Sequence, residues 1–375
     1  MLVVLVDIVD FSYSIDHGGE ILYRNQHMYD LEPHEPAAHE AEAAVVDVRS
    51  ASGFQVLSLD GGGVRGIFEA ALLAAIEQDL GVCVADRFDL VVGTSTGGIL
   101  ALGLGAGLTP AQILGFYLEH HGQIFANRLG WRNVRRLWRA KYPADRLGRP
   151  LREIFGDRLL GESRLPLVIP TYNVGVNAVC LLKTPHHPRL RRDHRMPMWE
   201  VALAAAAAPT YFPAVHLDGN GDRLVDGGLW SNNPTLVGIA ESVSMFGRAL
   251  DEIKVLSVGT LASVSTRRAN LDDGGFLAWG RSPNLVSVLL DAQGSGTLGL
   301  AQHLIGVDSL FRLDATVPDD LIALDRCDPR ELIAWASHTS RIFSPTFEKK
   351  FAGHRPASYD PRYGPNARQV TDAPR

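Results

Sequence analysis

The sequence predicts an α/β protein whose mainly parallel sheet is covered by helices on both faces. Short apolar segments of strand length alternate with segments whose apolar residues recur at helical spacing, the pattern of βαβ units. Two of the strand candidates end in glycine-rich turns that open directly into apolar helices. With 375 residues, 46% hydrophobic and 21% charged, the chain can form one large core and is no disordered, collagenous or coiled-coil chain.

Residues 1–52 stand apart. A short apolar start, MLVVLVDIV, leads into a polar, acidic stretch with two prolines, expected to be a poorly ordered extension. The start lacks the marks of a secretory signal, because no Lys or Arg precedes it and Asp7 interrupts it. Phe54–Leu59 (FQVLSL) is the first strand candidate and ends in a glycine cluster. Ile67, Leu72, Leu73, Ile76 and Leu80 then share one helix face, and Gly81 stops that helix. Phe88–Val92 is the second strand, followed by a buried helix starting at Ile99–Leu104. The uncharged run Leu90–Leu118 has the length of a membrane span, but its seven glycines and its Thr94-Ser95-Thr96 and Thr109-Pro110 stretches fit a strand, a tight turn and a buried helix better. Further strands are expected at Leu167–Tyr172, Val179–Leu182 and Ile253–Val258. The main domain is therefore expected to span 53–352. From Gly353 to Arg375, four prolines and little apolar content predict a mobile tail.

Charge and cysteine usage exclude further classes. A net charge of −6 gives no general attraction to a nucleic acid polymer. Cys83, Cys180 and Cys327 lie too far apart in sequence for a disulfide framework or a paired-cysteine metal site, so a reducing, cytoplasmic compartment is expected.

Three motifs carry chemistry. Asp60-Gly61-Gly62-Gly63-Val64-Arg65-Gly66 follows a strand and precedes a helix. Its glycines let the backbone turn sharply and aim bare N–H groups at an anion. Gly61, Gly63 and Gly66 also fit the dinucleotide fingerprint, with Asp86 or Asp89 as the ribose acid, so the loop alone leaves a dinucleotide-dependent oxidoreductase, an acyl-transfer enzyme and a plain turn open. Gly93-Thr94-Ser95-Thr96-Gly97 narrows the choice. It is a G-x-S-x-G turn between strand and helix, where the glycines make room for an exposed serine hydroxyl. The serine needs a base. His303, His338 and His354 come late in the chain, but none follows a clear strand in a glycine turn. Asp226, in Leu224-Val225-Asp226-Gly227-Gly228, ends a short apolar stretch and can bond the serine directly if burial raises its basicity.

Together these motifs resemble the patatin-like phospholipases, lipid acyl hydrolases with a Ser-Asp dyad in a three-layer α/β/α sandwich. The likeness runs from about Phe54 to Ala262 and weakens toward Ala336. It includes Ala205–Ala208 before Pro209-Thr210-Tyr211-Phe212-Pro213, Ser257-Val258-Gly259-Thr260, and Phe311-Arg312-Leu313-Asp314. The resemblance implies Ser95 as nucleophile and Asp226 as general base, with Gly93, Gly97 and Gly227 shaping their turns. It implies an oxyanion hole from the backbone around Gly61, Gly62 and Gly63, with Thr96 as a further donor, and no metal or other cofactor. Arg65 would brace the glycine loop or approach a lipid phosphate. A catalytically silent scaffold on the same fold is the rival reading.

Two basic segments bear on partners. Trp131, Arg135, Arg136, Trp138 and Arg139 lie in a stretch with the spacing of a cationic amphipathic helix, suited to a phospholipid membrane surface, to packing on the domain, or to an anionic regulator. The loop His186–Arg195 adds further positive charge. Such segments are compatible with a cyclic-nucleotide activator, and with an enzyme peripheral to the membrane when active. Oligomeric state is left open.

Overall fold

Strand β1 (Phe54–Leu59) is buried along its whole length, and its alternation divides the molecule into layers. Leu57 and Leu59 pack with Ile67, Phe68, Leu72, Leu73 and Ile76 of helix α1 (Gly66–Leu80), whereas Phe54 and Val56 face a second core on the opposite side. This computed structural model describes residues 53–124, 140–217, 221–263, 284–317 and 327–367. The expected extension 1–52 and the five membrane-contact candidates Trp131, Arg135, Arg136, Trp138 and Arg139 lie outside the described residues.

The remaining elements follow in chain order. Strand β2 (Leu90–Gly93) leads into α2 (Thr96–Gly105), then come α3 (Pro110–Ile124) and α4 (Asp145–Phe155). Strands β3 (Leu167–Asn173) and β4 (Ala178–Lys183) form a hairpin, followed by α5 (Met198–Ala205). Next are β5 (Val215–His216), β6 (Arg223–Asp226), the single turn α6 (Gly228–Ser231) and α7 (Thr235–Phe246). The described elements end with β7 (Ile253–Val258), β8 (Ala262–Ser263), a helix at Asn284–Ile305, β9 (Leu310–Leu313), β10 (Thr316–Val317) and a helix at Pro329–Phe347. The uncharged run Leu90–Leu118 thus becomes a strand, a turn and two helices, and no described helix is long and apolar enough to cross a membrane.

The sheet is mixed. β9, β7, β1, β2 and β3 run parallel, while β4, β5 and β6 are antiparallel additions at the β3 end. Helices α1, α2, α3 and α5 cover one face, and α7 with Asn284–Ile305 covers the other, giving the expected α/β/α sandwich. The antiparallel flank was not read from the sequence, because β5 and β6 are too short to show a period of two.

One feature of the register decides where chemistry can occur. β3 pairs with β4 through Val168↔Lys183 and Thr171↔Cys180, so β4 fills one edge of β3. On the other edge, Val92 of β2 pairs with Val168, and Asp226 of β6 pairs with Thr171. β2 runs parallel to β3 and β6 antiparallel, so the two strands meet end to end along that edge. Their facing ends are three β3 residues apart, about 10 Å. The turns that follow β2 and β6 are thereby brought together.

The segment from Gly353, read from the sequence as a mobile tail, carries definite contacts over 353–367. His354 Nε2 lies 2.7 Å from Asp89 Oδ2, the Arg362 amide donates to Pro185 O, and the Tyr363 hydroxyl donates to Pro188 O.

Candidate active site

Ser95 occupies the turn between β2 and α2 with φ 55° and ψ −120°. A side chain in this region costs on the order of 1–3 kcal/mol, and such strain persists only where surroundings impose it. Here they do. A Cβ at Gly97 would stand 2.5 Å from Leu59 O and 2.6 Å from Asp60 O, so the start of α2 can lie against the end of β1 only without a side chain. Gly93 is equally confined, by the Gly97 carbonyl. The Thr94 hydroxyl ties the turn down by donating to Ser231 O at 2.6 Å.

The Ser95 hydroxyl donates to Asp226 Oδ2 at 2.6 Å. The other carboxylate oxygen, Oδ1, accepts the Gly228 amide at 2.7 Å. Both side chains are buried. Burial pushes the Asp226 carboxyl up from 3.8 to about 6, even though the bonds from Ser95 and Gly228 pull it down. The group is therefore ionised at neutral pH yet more basic than an aspartate in water, and it is already aligned on the serine proton. None of the late histidines bonds Ser95 or Asp226. His354 is held by Asp89, His338 packs edge-on to Trp335, and His303 is exposed.

The glycine loop lies directly against the serine. A Cβ at Gly61 would come within 3.3 Å of Ser95 Cβ. Two carbonyls of this loop are anchored: Gly61 O accepts from Thr260 Oγ1 at 3.0 Å, and Gly62 O accepts from Arg65 Nε at 3.1 Å. In a planar trans peptide the following N–H points the opposite way, so the Gly62 and Gly63 amides are aimed away from these anchors. Among the described residues neither amide donates a hydrogen bond. The Gly61 amide does, to Asn232 O at 2.9 Å. Of the three glycine donors expected from the sequence, Gly61 is therefore committed to the scaffold and contributes space instead. Thr96 opens α2, where its amide has no partner within the helix, and its carbonyl accepts the Tyr117 hydroxyl at 2.8 Å.

The segment Ser231–Asn233 sews the three loops together. Ser231 O holds the serine turn, Asn232 O holds Gly61, and Asn233 Nδ2 reaches Asp60 Oδ2 at 3.4 Å and Ser257 Oγ at 3.2 Å. Sequence reasoning missed this seam, although Asn232-Asn233-Pro234, separated from the Asp-Gly-Gly turn by three residues, was a visible signal.

A second bracket comes from β9. Arg312 pairs with Asp60 at 2.8 Å and Asp314 at 2.7 Å, and its Nη1 donates to Ser257 Oγ at 2.8 Å. Asp314 accepts the Leu261 amide at 3.0 Å, and Leu261 O accepts from Arg65 Nη1 at 3.2 Å. Both ends of the glycine loop, Asp60 and Arg65, thus lead back to Arg312. Arg65 braces the loop, the first of the two roles considered for it. Burial raises Asp60 to about 6 despite Arg312, and raises buried Glu69, whose Oε1 accepts the Asp60 amide, well above the usual carboxylate range.

The other sequence features land elsewhere. Of the two candidate ribose acids, Asp86 lies in the turn Ala85–Arg87 before β2 and Asp89 accepts the Gln55 amide, both at the N-terminal end of the parallel strands, whereas the glycine loop lies past their C-terminal end. Neither acid can grip one dinucleotide together with the loop. Within the basic loop, His186 is buried between Thr184 and Glu241, with Lys183 on the same carboxylate at 2.6 Å. The His194 ring packs tilted against Tyr363, with centroids 5.8 Å apart. Among the described residues no group of three His, Cys, Asp or Glu side chains is placed to hold a metal ion.

Comparison with known proteins identifies the family. Residues 57–239 match the family described as patatin-like phospholipase. The chain is 36% identical to a cGAMP-activated phospholipase of Pseudomonas aeruginosa, over 73% of this chain and 83% of that protein. It is 32% identical to a cGAMP-activated phospholipase of Vibrio cholerae, over 80% of this chain and 92% of that one. A shorter match, 34% identical over 50% of this chain and 52% of the other, is to patatin-like protein 2 of rice, Oryza sativa. With a serine turn, a buried carboxylate and a bare glycine loop converging in a patatin fold, the chain belongs to the patatin-like phospholipase family and is a lipid acyl hydrolase.

Proposed function

We propose that Ser95 and Asp226 are the catalytic dyad of a phospholipase A-type esterase acting on membrane glycerophospholipids, and that its activity is switched on by a cyclic dinucleotide such as cGAMP. The observation that carries the catalytic reading is the 2.6 Å bond from Ser95 Oγ to a buried Asp226 Oδ2. Ser95 Oγ attacks the ester carbonyl carbon while its proton passes to Asp226. The carbonyl oxygen takes up negative charge beside the Gly62 and Gly63 amides and the N-terminus of α2 at Thr96. Collapse expels the lysophospholipid alkoxide, which takes the proton from Asp226 and leaves an acyl-serine. Water, deprotonated by the same carboxylate, attacks the acyl carbon, and Ser95 Oγ leaves with that proton returned from Asp226 as the fatty acid is released.

Regulation by a cyclic dinucleotide is supported by the bacterial relatives of Pseudomonas aeruginosa and Vibrio cholerae, each a cGAMP-activated phospholipase that this chain matches over most of its length. On this reading the protein is a cytoplasmic enzyme peripheral to its membrane substrate. The test is fatty-acid release from phosphatidylethanolamine/phosphatidylglycerol vesicles with and without cGAMP. Release that depends on cGAMP and is lost in Ser95→Ala and Asp226→Asn is expected. Equal release by wild type and Ser95→Ala would refute the dyad, and release indifferent to a panel of cyclic nucleotides would refute the switch.

A further inference from the structure

The hairpin joining β3 to β4 has a surface that the catalytic account leaves unused. From Leu165 to Leu182 the chain carries no charged residue. Most of this stretch is buried, but its tip is not: Val174, Val176 and Val179 are 41%, 61% and 50% exposed. Val174 and Val176 lie on the solvated turn, where a β-branched residue has neither a packing nor a turn-forming reason to be, and Val179 is exposed at the start of β4, so the end of the hairpin is an apolar prominence.

Its position gives it meaning. Asp226 pairs with Thr171, and β3 continues past that point through Asn173 into the hairpin. The last paired residues of the hairpin, Asn173 and Ala178, lie two residues beyond Thr171, about 7 Å, and the turn at 174–177 stands past them on the C-terminal side of the sheet. The gap between tip and dyad is not polar throughout. Leu229, three residues after Asp226, is 57% exposed, and its neighbour Trp230 donates its indole N–H to Thr171 O at 3.0 Å. Exposed arginine flanks the hairpin: Val174 bonds Arg223 O, and a Cβ on Gly175 would lie 3.5 Å from Arg223 Nε. Apolar side chains at the rim with the Arg223 side chain beside them, and the Asp222 carboxylate tied back to Asn173 Nδ2 at 2.6 Å, suit the boundary between acyl chains and anionic headgroups.

We propose that the β3–β4 hairpin seats the catalytic edge on the bilayer, with Val174, Val176 and Val179 entering the acyl boundary of a phospholipid surface next to Leu229. This rests on the reading of the site as one that draws its substrate from a membrane. None of the three valines takes part in the dyad or the oxyanion loop.

Binding is read in a Ser95→Ala background, so that the vesicles survive, on phosphatidylethanolamine/phosphatidylglycerol vesicles with cGAMP present. Val174→Asp with Val176→Asp is expected to weaken vesicle partition by about tenfold per aspartate. With Ser95 intact, the same pair should cut vesicle hydrolysis while leaving turnover of a soluble short-chain ester within about twofold of wild type. Unchanged vesicle binding would overturn the proposal, as would a changed oligomeric state with vesicle binding retained, which would assign the valines to a second copy of the chain. If the aspartates abolish soluble-ester turnover as well, Val176→Trp decides. A blue shift and quenching by brominated lipid relative to its parent support insertion, and their absence refutes it. Failure of wild type to hydrolyse any lipid while Val176→Trp still inserts would count against the proposed function and not against the docking surface.

Discussion

Replacing Asp226 by asparagine should stabilise the fold while destroying the activity. In the folded chain burial holds this carboxyl at about 6, against 3.8 when unperturbed. A group with a raised folded value binds its proton more tightly in the native state. Its favourable contribution is complete below the unfolded value and is lost as pH rises through the folded one. Ionised Asp226 is thus a burden above pH 6. Roughly two pK units correspond to about 3 kcal/mol at alkaline pH, falling to about 1 kcal/mol near pH 4.5. Asparagine keeps the shape, can still accept from the Gly228 amide through Oδ1 and can donate to Ser95, so little else is lost. Urea unfolding of wild type and Asp226→Asn near pH 4.5 and near pH 8 should therefore show a stability gain that grows by about 2 kcal/mol across that interval. A gain independent of pH, or a variant less stable than wild type at pH 8, would refute the claim that a buried, strained carboxylate is kept here for function.

The same carboxylate should govern the pH–rate profile: kcat/KM for a soluble ester should rise through an apparent pKa of about 6 and level off above it, and a profile flat down to pH 4.5 would exclude Asp226 as base. Gly62→Ala places a Cβ against the Thr260 side chain and displaces the loop, so kcat should fall on the order of 100-fold with KM far less affected, as expected when a transition-state donor is lost; parallel changes in both would contradict the oxyanion role. Arg312→Met leaves Asp60 buried beside Glu69 without its cation, which should cost on the order of 3 kcal/mol in unfolding measurements and lower kcat per active site titrated with a fluorophosphonate; unchanged kcat per titrated site would make Arg312 a purely structural residue. NAD(P) should show no binding by calorimetry, and a measurable affinity would revive the dinucleotide reading that the placement of Asp86 and Asp89 argues against.

The parts of the site that the sequence displayed are those in which a residue type answers a local demand. Ser95 with Gly93 and Gly97 was legible because a strained turn packed on Leu59 and Asp60 tolerates only glycine at its shoulders. Asp226 was legible as an acid at a glycine turn, although nothing local says that it meets Ser95. That follows from β2 and β6 sharing one edge of β3, a long-range property of register. The antiparallel flank escaped notice because β5 and β6, two and four residues long, show no alternation. Gly61 illustrates a subtler limit: composition marks the loop as a source of bare amides, but only the Asn232 carbonyl shows which amide is already spoken for. Arg312 and Asn233 act on the loop from strand β9 and the seam, 252 and 173 residues from Asp60, so their roles are visible only once the chain is folded.

The most direct test is covalent. A fluorophosphonate ester, whose phosphorus mimics the attacked carbonyl, should label the protein once per chain in the presence of cGAMP, and peptide mass spectrometry should place the adduct on Ser95. Labelling should vanish in Ser95→Ala and slow by at least 100-fold in Asp226→Asn. Stoichiometric labelling at another residue, or ester hydrolysis that survives in Ser95→Ala, would contradict the account.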